Sequence, residues 1–180
     1  MNLVLLASLL FAIGDFTASL CASIVFFFTY LLDHCDGEVA RAKHQTSRFG
    51  QMFDSFVDWI FHAAFFMGLS WGTYSTSHDF VWVWLGLAAA FGATINYLLG
   101  IYIFIRKNQN TSSAIELGEF PKGTYDHPGN WIEAVIFVFR ELVRADFWLL
   151  VLLLAVFDIV WVLLPAAAFG AQAYWIAQLL

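Results

Sequence analysis

Long uncharged apolar runs alternate with short polar intervals along the chain, and this pattern predicts helices that cross a membrane. Three runs have about the 20 residues that one span needs, and they cover residues 16–32, 59–77 and 80–105. A further apolar stretch, 147–180, is interrupted only by Asp158 and predicts two spans joined by an outer turn. Residues 3–13 are apolar but few, so they predict a short first helix. The expected fold is an all-α integral membrane protein, a bundle of six transmembrane helices.

The polar intervals contain no linker that would separate two folded parts. The longest, residues 106–130, is rich in Gly, Pro, Asn and Ser, as is typical of a loop. Residues 131–147 mix apolar and charged positions and predict an oblique entry into the fifth helix, with a surface-lying amphipathic helix as the alternative. Residues 1–13 lack the basic start and the cleavage site of a signal peptide. Residues 1–180 are therefore predicted to form a single membrane domain.

Basic residues predict which way the bundle faces, because Lys and Arg collect in short cytoplasmic loops. With six spans, all eight basic residues fall on one side of the membrane, in the segments 34–53 and 106–146. The opposite turns, near residues 14, 75 and 158, carry only acids. Both termini and the aspartates described below are therefore predicted to face the cytoplasm, in the cytoplasmic (inner) membrane of a bacterium.

Composition agrees with a lipid environment, since 61% of the residues are hydrophobic and 12% are charged. The formal net charge of -6 is divided among several polar segments, and nothing in it indicates a nucleic-acid partner. The two cysteines, Cys21 and Cys35, have neither a pairing pattern nor a CxxC spacing. Lipid-facing and interfacial positions account for the eight Trp and twenty Phe. Membrane lipids are the partners that composition predicts.

Four aspartates lie where the second and third predicted spans reach the cytoplasm. If the second span stays helical beyond its last apolar residue, one third of its surface carries Asp33, Asp36, Gly37 and Ala40. On the third span, a four-residue repeat carries Gly50, Asp54 and Asp58. A turn near residues 43–50 would join the two helices antiparallel. The two stripes would then line one polar cleft at the cytoplasmic edge of the membrane.

Such a cleft suits divalent cations. Four carboxylates at close range repel one another and need compensation, and Mg²⁺ or Mn²⁺ prefers oxygen ligands of this kind. Two ions about 4 Å apart can clamp a diphosphate and stabilise its leaving oxygen. Glycines without a Cβ let a ligand approach the backbone, and Arg41 adds a planar phosphate-binding fork. The cluster therefore predicts a two-metal site for phosphoryl chemistry.

The same aspartates have structural alternatives. Aspartates at helix ends are commonly solvated or cap the helix, and Asp54 could pair with Arg48 and do nothing more. Asp58 is the strongest argument for function, because Trp59, Ile60 and Phe61 follow it and an ionised group beside a membrane span is costly.

Residues 33–58 resemble the signature of the CDP-alcohol phosphatidyltransferase family, D-x(2)-D-G-x(2)-A-R-x(8)-G-x(3)-D-x(3)-D. The eight fixed positions all match, as Asp33, Asp36, Gly37, Ala40, Arg41, Gly50, Asp54 and Asp58, and a pattern of this length is highly specific. The family's six-helix membrane fold agrees with the six predicted spans. The chain departs from the family in two places. The first is at the start, where relatives have a cytoplasmic lead-in and a full first helix, whereas only about a dozen residues precede Gly14 here. This puts the completeness of the chain in question. The second is Trp59, which stands where many relatives have Arg.

The resemblance implies a transfer reaction. A CDP-linked lipid donor, commonly CDP-diacylglycerol, would bind with its diphosphate on two Mg²⁺ or Mn²⁺ ions, an alcohol would attack the β-phosphorus, and CMP would leave. The metal ligands implied are Asp33, Asp36, Asp54 and Asp58, with Asp58 also the catalytic general base. The residues implied to hold the CDP moiety are Gly37, Ala40, Arg41 and Gly50. The resemblance also implies a homodimer formed through membrane helices.

The acceptor is expected to be a small alcohol or an alcohol phosphate. The stretch DHCDGEVARAK is reminiscent of members that use inositol phosphate, and glycerol phosphate is a further candidate. A phosphorylated acceptor needs more cations, for which the candidates are Arg106, Lys107, Arg140 and Arg144; topological anchoring is their alternative role. His62, four residues after Asp58, could line the acceptor pocket or be a satisfied polar residue of the bundle. Asn96 is predicted to form a hydrogen bond between helices.

Two other classes of function stay open. A divalent-cation transporter also needs intramembrane acids, but a conduction path would place them at intervals across the bilayer, whereas here they collect at one side. A non-catalytic family member could act as a scaffold; loss of a signature aspartate would favour this, and none is lost.

Overall fold

The computed structural model describes residues 2–43, 48–109 and 147–179. These ranges contain six α-helices, one short 3-10 helix and no strand. The α-helices are α1 (Asn2–Phe11), α2 (Phe16–Ala42), α3 (Arg48–Ser77), α4 (Val81–Gln109), α5 (Phe147–Val156) and α6 (Leu163–Leu179), and the 3-10 helix is Val160–Val162. The prediction of an all-α fold is therefore confirmed for the part of the chain that the structure describes.

Helix boundaries follow the apolar pattern closely, with one informative extension. α1 is short, as predicted, and α2 continues past the apolar run to Ala42, so that both of its aspartates lie within a helix. α3 begins at Arg48 and continues to Ser77, which places the following turn at residues 78–80. The predicted oblique segment at 131–147 lies outside the described residues except for Phe147, the first residue of α5.

Three turns between helices contain a residue in the left-handed region, where glycine and short polar side chains are favoured. These residues are Gly14 (φ 78°), His78 (φ 55°) and Asp158 (φ 57°). Asp158 therefore lies in the turn between α5 and the 3-10 helix, where the sequence predicts a turn, and its location on the outer side of the membrane stays a prediction. At the α3–α4 turn, the Val81 backbone N–H donates to the Asp79 Oδ1 atom at 3.0 Å and caps α4.

Asp15 caps α2 at the turn after Gly14. Its carboxylate accepts hydrogen bonds from the Thr17 hydroxyl and from the Thr17 backbone N–H, the latter at 3.2 Å. These bonds, that of the hydroxyl above all, lower the pKa of Asp15 below its ordinary value of 3.8. The ionised carboxylate therefore stabilises the folded chain above pH 3.8, and this stabilisation is lost as the pH falls through the lowered pKa.

Replacing Asp15 with Ala should accordingly lower the midpoint of thermal unfolding at neutral pH, and the difference from the parent should shrink below pH 3.8. Circular dichroism of both proteins in detergent across the acidic range measures this. Asp15→Asn is the matched control, because its amide oxygen can still cap the helix but does not titrate. A gap between parent and Ala variant that stays constant with pH would contradict the prediction.

The described helices differ in how clearly they qualify as membrane spans. Residues Val81–Ile103 of α4 are long and apolar enough to cross a membrane. The shorter apolar helical segments in the described ranges are Phe16–Leu32, Phe147–Val156 and Val160–Ile176. The count of six spans and their orientation thus stay predictions.

An aromatic core joins four of the helices. Phe26 of α2 lies 5.6 Å from Phe65 of α3 between ring centroids and stacks on Trp148 of α5 at 4.5 Å. Phe11 of α1 meets Phe65 edge-on at 5.2 Å. Phe11, Phe26 and Phe65 are fully buried, and edge-to-face and offset-stacked rings are favourable arrangements for such contacts. This core fixes α2, α3 and α5 relative to one another.

α4 packs on α3 on one side and on α6 on the other. Polar side chains contribute to the contact between α4 and α6. The Gln172 Nε2 atom donates to the Ala88 carbonyl at 2.9 Å, and the Asn96 Nδ2 atom donates to the Ala171 carbonyl at 3.4 Å. The prediction that Asn96 forms an interhelical hydrogen bond is confirmed. Such bonds hold apolar helices together where lipid provides no hydrophobic driving force.

Candidate active site

α2 and α3 form an antiparallel hairpin. α2 ends at Ala42 and α3 begins at Arg48, so a short connection joins them. The contact between Phe26 and Phe65 lies 16 residues before Ala42 and 17 residues after Arg48. The two helices therefore run in opposite directions and meet through these rings, at nearly equal distances along the chain from the connection. This agrees with the antiparallel arrangement that the sequence predicts, and the polar cleft between the two helices stays a prediction.

Asp33 and Asp58 are the two aspartates farther from the connection between α2 and α3, and they lie at nearly equal distances from it along the two helices. Asp33 lies seven residues after Phe26, and Asp58 lies seven residues before Phe65. Seven residues are about two helical turns, or roughly 10 Å of rise, and return to nearly the same face of a helix. Because the two Phe rings touch, we expect the backbone positions of Asp33 and Asp58 at about the same height along α2 and α3.

The other two aspartates lie closer to the turn. Asp36 is six residues before Ala42 and Asp54 is six residues after Arg48, so these positions also share a level. Gly50 is exposed in the first turn of α3. The backbone of both helices is described throughout, but some side chains fall outside the described part, namely those of Asp33, Asp36, Ala40, Arg41 and Asp54. Their assignment to metal or CDP, and that of Gly37, stays a prediction.

The side chain of Asp58 is exposed. The apolar residues after it turn away from the hairpin cleft, since the Trp59 indole packs towards α4 and Phe61 is buried. The apolar surroundings that the sequence suggests for Asp58 therefore belong to its neighbours. The Asp58 side chain is therefore accessible from outside the helix bundle.

His62 lies one turn beyond Asp58 and is held by α5. Its Nδ1 atom lies 2.8 Å from the Asp58 carbonyl oxygen. Its ring centroid lies 5.4 Å from that of Phe147 and 5.4 Å from that of Trp148. Of the two roles that the sequence left open, these contacts favour the satisfied polar residue of the bundle over the acceptor ligand.

Trp59 ties the same turn of α3 to α4. Its Nε1–H donates to the Thr94 hydroxyl at 3.0 Å, and its ring stacks on Tyr97 at 5.3 Å with an interplanar angle of 16°. The sequence marks Trp59 as a departure from the family and as an apolar neighbour of Asp58, but it gives no sign that Thr94 and Tyr97 are its partners. The contact joins residues 35 positions apart in the sequence, so no local sequence pattern predicts it.

An apolar cleft of about 290 Å³ lies between α3 and α4. Its lining consists of Met52, Phe53, Phe56, Tyr97 and Ile101. Phe56 is two residues before Asp58, and two residues turn a helix by about 200°. This cleft therefore opens on the opposite side of α3 from Asp58 and is separate from the aspartate hairpin.

The basic residues proposed for a phosphorylated acceptor are only partly placed. Arg106 and Lys107 belong to the last turn of α4, which ends at Gln109, and their side chains are outside the described part. Arg140 and Arg144 lie outside the described residues altogether. Their contribution to the site stays a prediction.

The sequence was compared with family models and with curated proteins. The model of the CDP-alcohol phosphatidyltransferase family matches residues 1–124. This range includes α1 to α4 and therefore both helices of the aspartate hairpin. No curated protein matches the chain.

Proposed function

Because the chain belongs to the CDP-alcohol phosphatidyltransferase family, we propose that it transfers a phosphatidyl group from a CDP-linked lipid, such as CDP-diacylglycerol, to a small alcohol or alcohol phosphate. Membership of this family assigns the chain to the transferases of phospholipid biosynthesis. What supports the proposal most is that the family model covers α2 and α3, the two helices that carry the four signature aspartates and that meet through Phe26 and Phe65.

The reaction exchanges a phosphoanhydride bond of the donor for a phosphoester bond to the acceptor. The acceptor hydroxyl oxygen attacks the β-phosphorus of the donor and forms a new P–O bond. The bond from that phosphorus to the bridging oxygen breaks, and CMP leaves with this oxygen. Asp58 takes the proton of the hydroxyl, which makes the attacking oxygen a better nucleophile.

The other aspartates would hold the donor's diphosphate through divalent cations. A set of carboxylates on two facing helices suits Mg²⁺ or Mn²⁺, which select oxygen ligands. Asp33, Asp36 and Asp54 are the proposed ligands, with Asp58 able to join them. Two bound ions would supply charge stabilisation for the diphosphate and for the departing CMP oxygen. Gly37, Ala40, Arg41 and Gly50 would hold the cytidine phosphate, with Arg41 as the phosphate-binding fork.

The membrane setting suits a substrate pair of opposite solubility. With the hairpin turn at the cytoplasmic edge of the bilayer, the donor's acyl chains stay in lipid while its head group reaches the aspartates. The acceptor, an inositol phosphate or a glycerol phosphate, would arrive from water. We further propose a homodimer in the bacterial inner membrane, with both termini in the cytoplasm.

The test of this function is CMP release from CDP-diacylglycerol by purified protein in detergent. The acceptor panel contains glycerol 3-phosphate, inositol, inositol 1-phosphate and serine. Release that depends on one acceptor establishes the reaction and identifies the product. No release, with metal and CDP-donor binding intact, means that the acceptor is missing from the panel; no release and no metal binding favours the scaffold. Uptake of Mg²⁺ by proteoliposomes without CMP release would favour the transporter.

Metal removal should abolish this activity. With excess EDTA, CMP release is expected to fall to the background rate, and added Mg²⁺ or Mn²⁺ should restore it, because the diphosphate charge is then compensated again. Asp33→Asn should raise the Mg²⁺ concentration needed for half-maximal rate by at least about tenfold, the lower range for a weakened metal site. Asp158→Asn, in the outer turn, should match the parent. An Asp33→Asn variant with unchanged Mg²⁺ dependence would contradict the ligand assignment.

A further inference from the structure

The turn of α3 that carries Asp58 is anchored to two neighbouring helices. Trp59 bonds to α4 through Thr94, and His62 packs against Phe147 and Trp148 of α5. We infer that His62 is a positioning residue for the proposed base, with Trp59 as a second anchor, so that the Asp58 turn is held at a fixed height and rotation in the bundle. This inference rests on the proposed function, because it concerns the same site.

The hydrogen bond of His62 fixes its tautomer. A carbonyl oxygen only accepts hydrogen bonds, so the contact of 2.8 Å with the Asp58 oxygen requires the proton on Nδ1. The same carbonyl is the acceptor expected for the backbone N–H of residue 62 in an α-helix. Side chains that bond to the carbonyl four residues back commonly bend a helix at that point. His62 can therefore set the local direction of α3 at Asp58.

His62 also connects the base to the helix that carries the other aspartates. Its ring lies against Trp148, and Trp148 stacks on Phe26 of α2 with an interplanar angle of 6°. Phe26 is two helical turns from Asp33 on the same face. A continuous path of contacts thus runs from the Asp58 carbonyl through α5 to the face of α2 that bears Asp33. A change at the His62 contact is therefore expected to alter the separation of the backbone at Asp58 from the backbone at Asp33.

Trp59 restrains the rotation of the same turn. The Thr94 hydroxyl accepts from the indole and donates to the Ala90 carbonyl at 2.8 Å, so both hydroxyl functions are used. Tyr97 supports the indole face. Trp59 and His62 are three residues apart and point about 60° from each other around the helix, towards α4 and α5. Two anchors in different directions prevent α3 from turning at Asp58.

The test separates positioning from folding with two His62 variants. His62→Phe keeps an aromatic ring against Phe147 and Trp148 but has no donor, whereas His62→Gln retains an N–H that can reach the carbonyl. His62→Phe is expected to lower kcat for CMP release by roughly ten- to a hundredfold, since small misplacements of reacting groups cost about this much. KM for the donor and the midpoint of thermal unfolding should stay near the parent values, and His62→Gln should recover part of kcat. Trp59→Phe keeps an aromatic ring but not the hydrogen bond to Thr94. This variant should likewise lower kcat while KM for the donor and the unfolding midpoint stay near the parent values.

An unchanged kcat in His62→Phe would overturn the inference. Equal loss in both His62 variants together with a lowered unfolding midpoint would overturn it too, because the role would then be structural. A second readout does not depend on catalysis: ¹⁵N NMR of histidine-labelled protein should show the Nδ1–H tautomer for the signal that disappears in His62→Phe. An Nε2–H tautomer would overturn the inference even in active protein. If the parent releases no CMP and binds neither metal nor CDP donor, the proposed function fails, while the tautomer still decides whether His62 bonds to Asp58.

Discussion

Asp58→Asn is expected to reduce kcat for CMP release by roughly a thousandfold or more, within the range that a general base contributes to catalysis. The amide has nearly the shape of the carboxylate but cannot accept the proton of the acceptor hydroxyl. Binding of the CDP donor should remain close to that of the parent, because under the proposed function the other three aspartates would still hold the diphosphate. The side chain of Asp58 is exposed, which is compatible with a role on the acceptor.

Asp158→Asn is the matched control for this substitution. Asp158 lies in the turn between α5 and the 3-10 helix, in a left-handed conformation that Asn also adopts readily. CMP release measures kcat, and equilibrium binding of a labelled CDP donor measures affinity. If Asp58→Asn loses donor binding as severely as it loses turnover, Asp58 is chiefly a metal or diphosphate ligand and the base assignment fails.

The two helices that carry the signature residues could be predicted because their signals are local. Apolar runs give the helix positions, and the three- and four-residue spacing of Asp33, Asp36, Asp54 and Asp58 places them on two stripes. The extension of α2 to Ala42 follows from the same spacing, which has meaning only on a helix. The residue numbers alone already show that the aspartates lie at nearly equal distances from the turn on the two helices.

The contacts that hold the hairpin could not be predicted, because they join residues far apart in sequence. The bond from Trp59 to Thr94 and the stacking of Phe26 on Trp148 depend on how whole helices pack. A tryptophan in an apolar run can face lipid as readily as it can pack against another helix, and the sequence does not distinguish the two positions. For His62 the sequence offered two roles, and only the position of α5 favours one of them.

The contact between α1 and α3 was likewise absent from the sequence analysis, although glycines four residues apart on a membrane helix are a known packing signal. Gly68 and Gly72 let the two backbones approach so closely that no side chain fits between them. A Cβ added at Gly68 would lie 2.2 Å from the Ser8 carbonyl oxygen, and one at Gly72 would lie 2.0 Å from that of Phe11. Both obstacles are backbone atoms, so α1 itself would have to move.

Gly68→Ala and Gly72→Ala should therefore each destabilise the protein, by roughly 2 kcal/mol, the middle of the range for overpacking. A loss of stability would be diagnostic of this backbone contact, because at an ordinary helix position the change from Gly to Ala stabilises the helix by about 1 kcal/mol. Thermal unfolding in detergent, followed by circular dichroism, measures the change, and Met67→Ala, on the same helix and 42% exposed, is the control expected to change little. The double variant should lose less than the sum of the single losses, since one displacement of α1 relieves both clashes. Two single variants as stable as the parent would mean that α1 and α3 are not in backbone contact at these glycines.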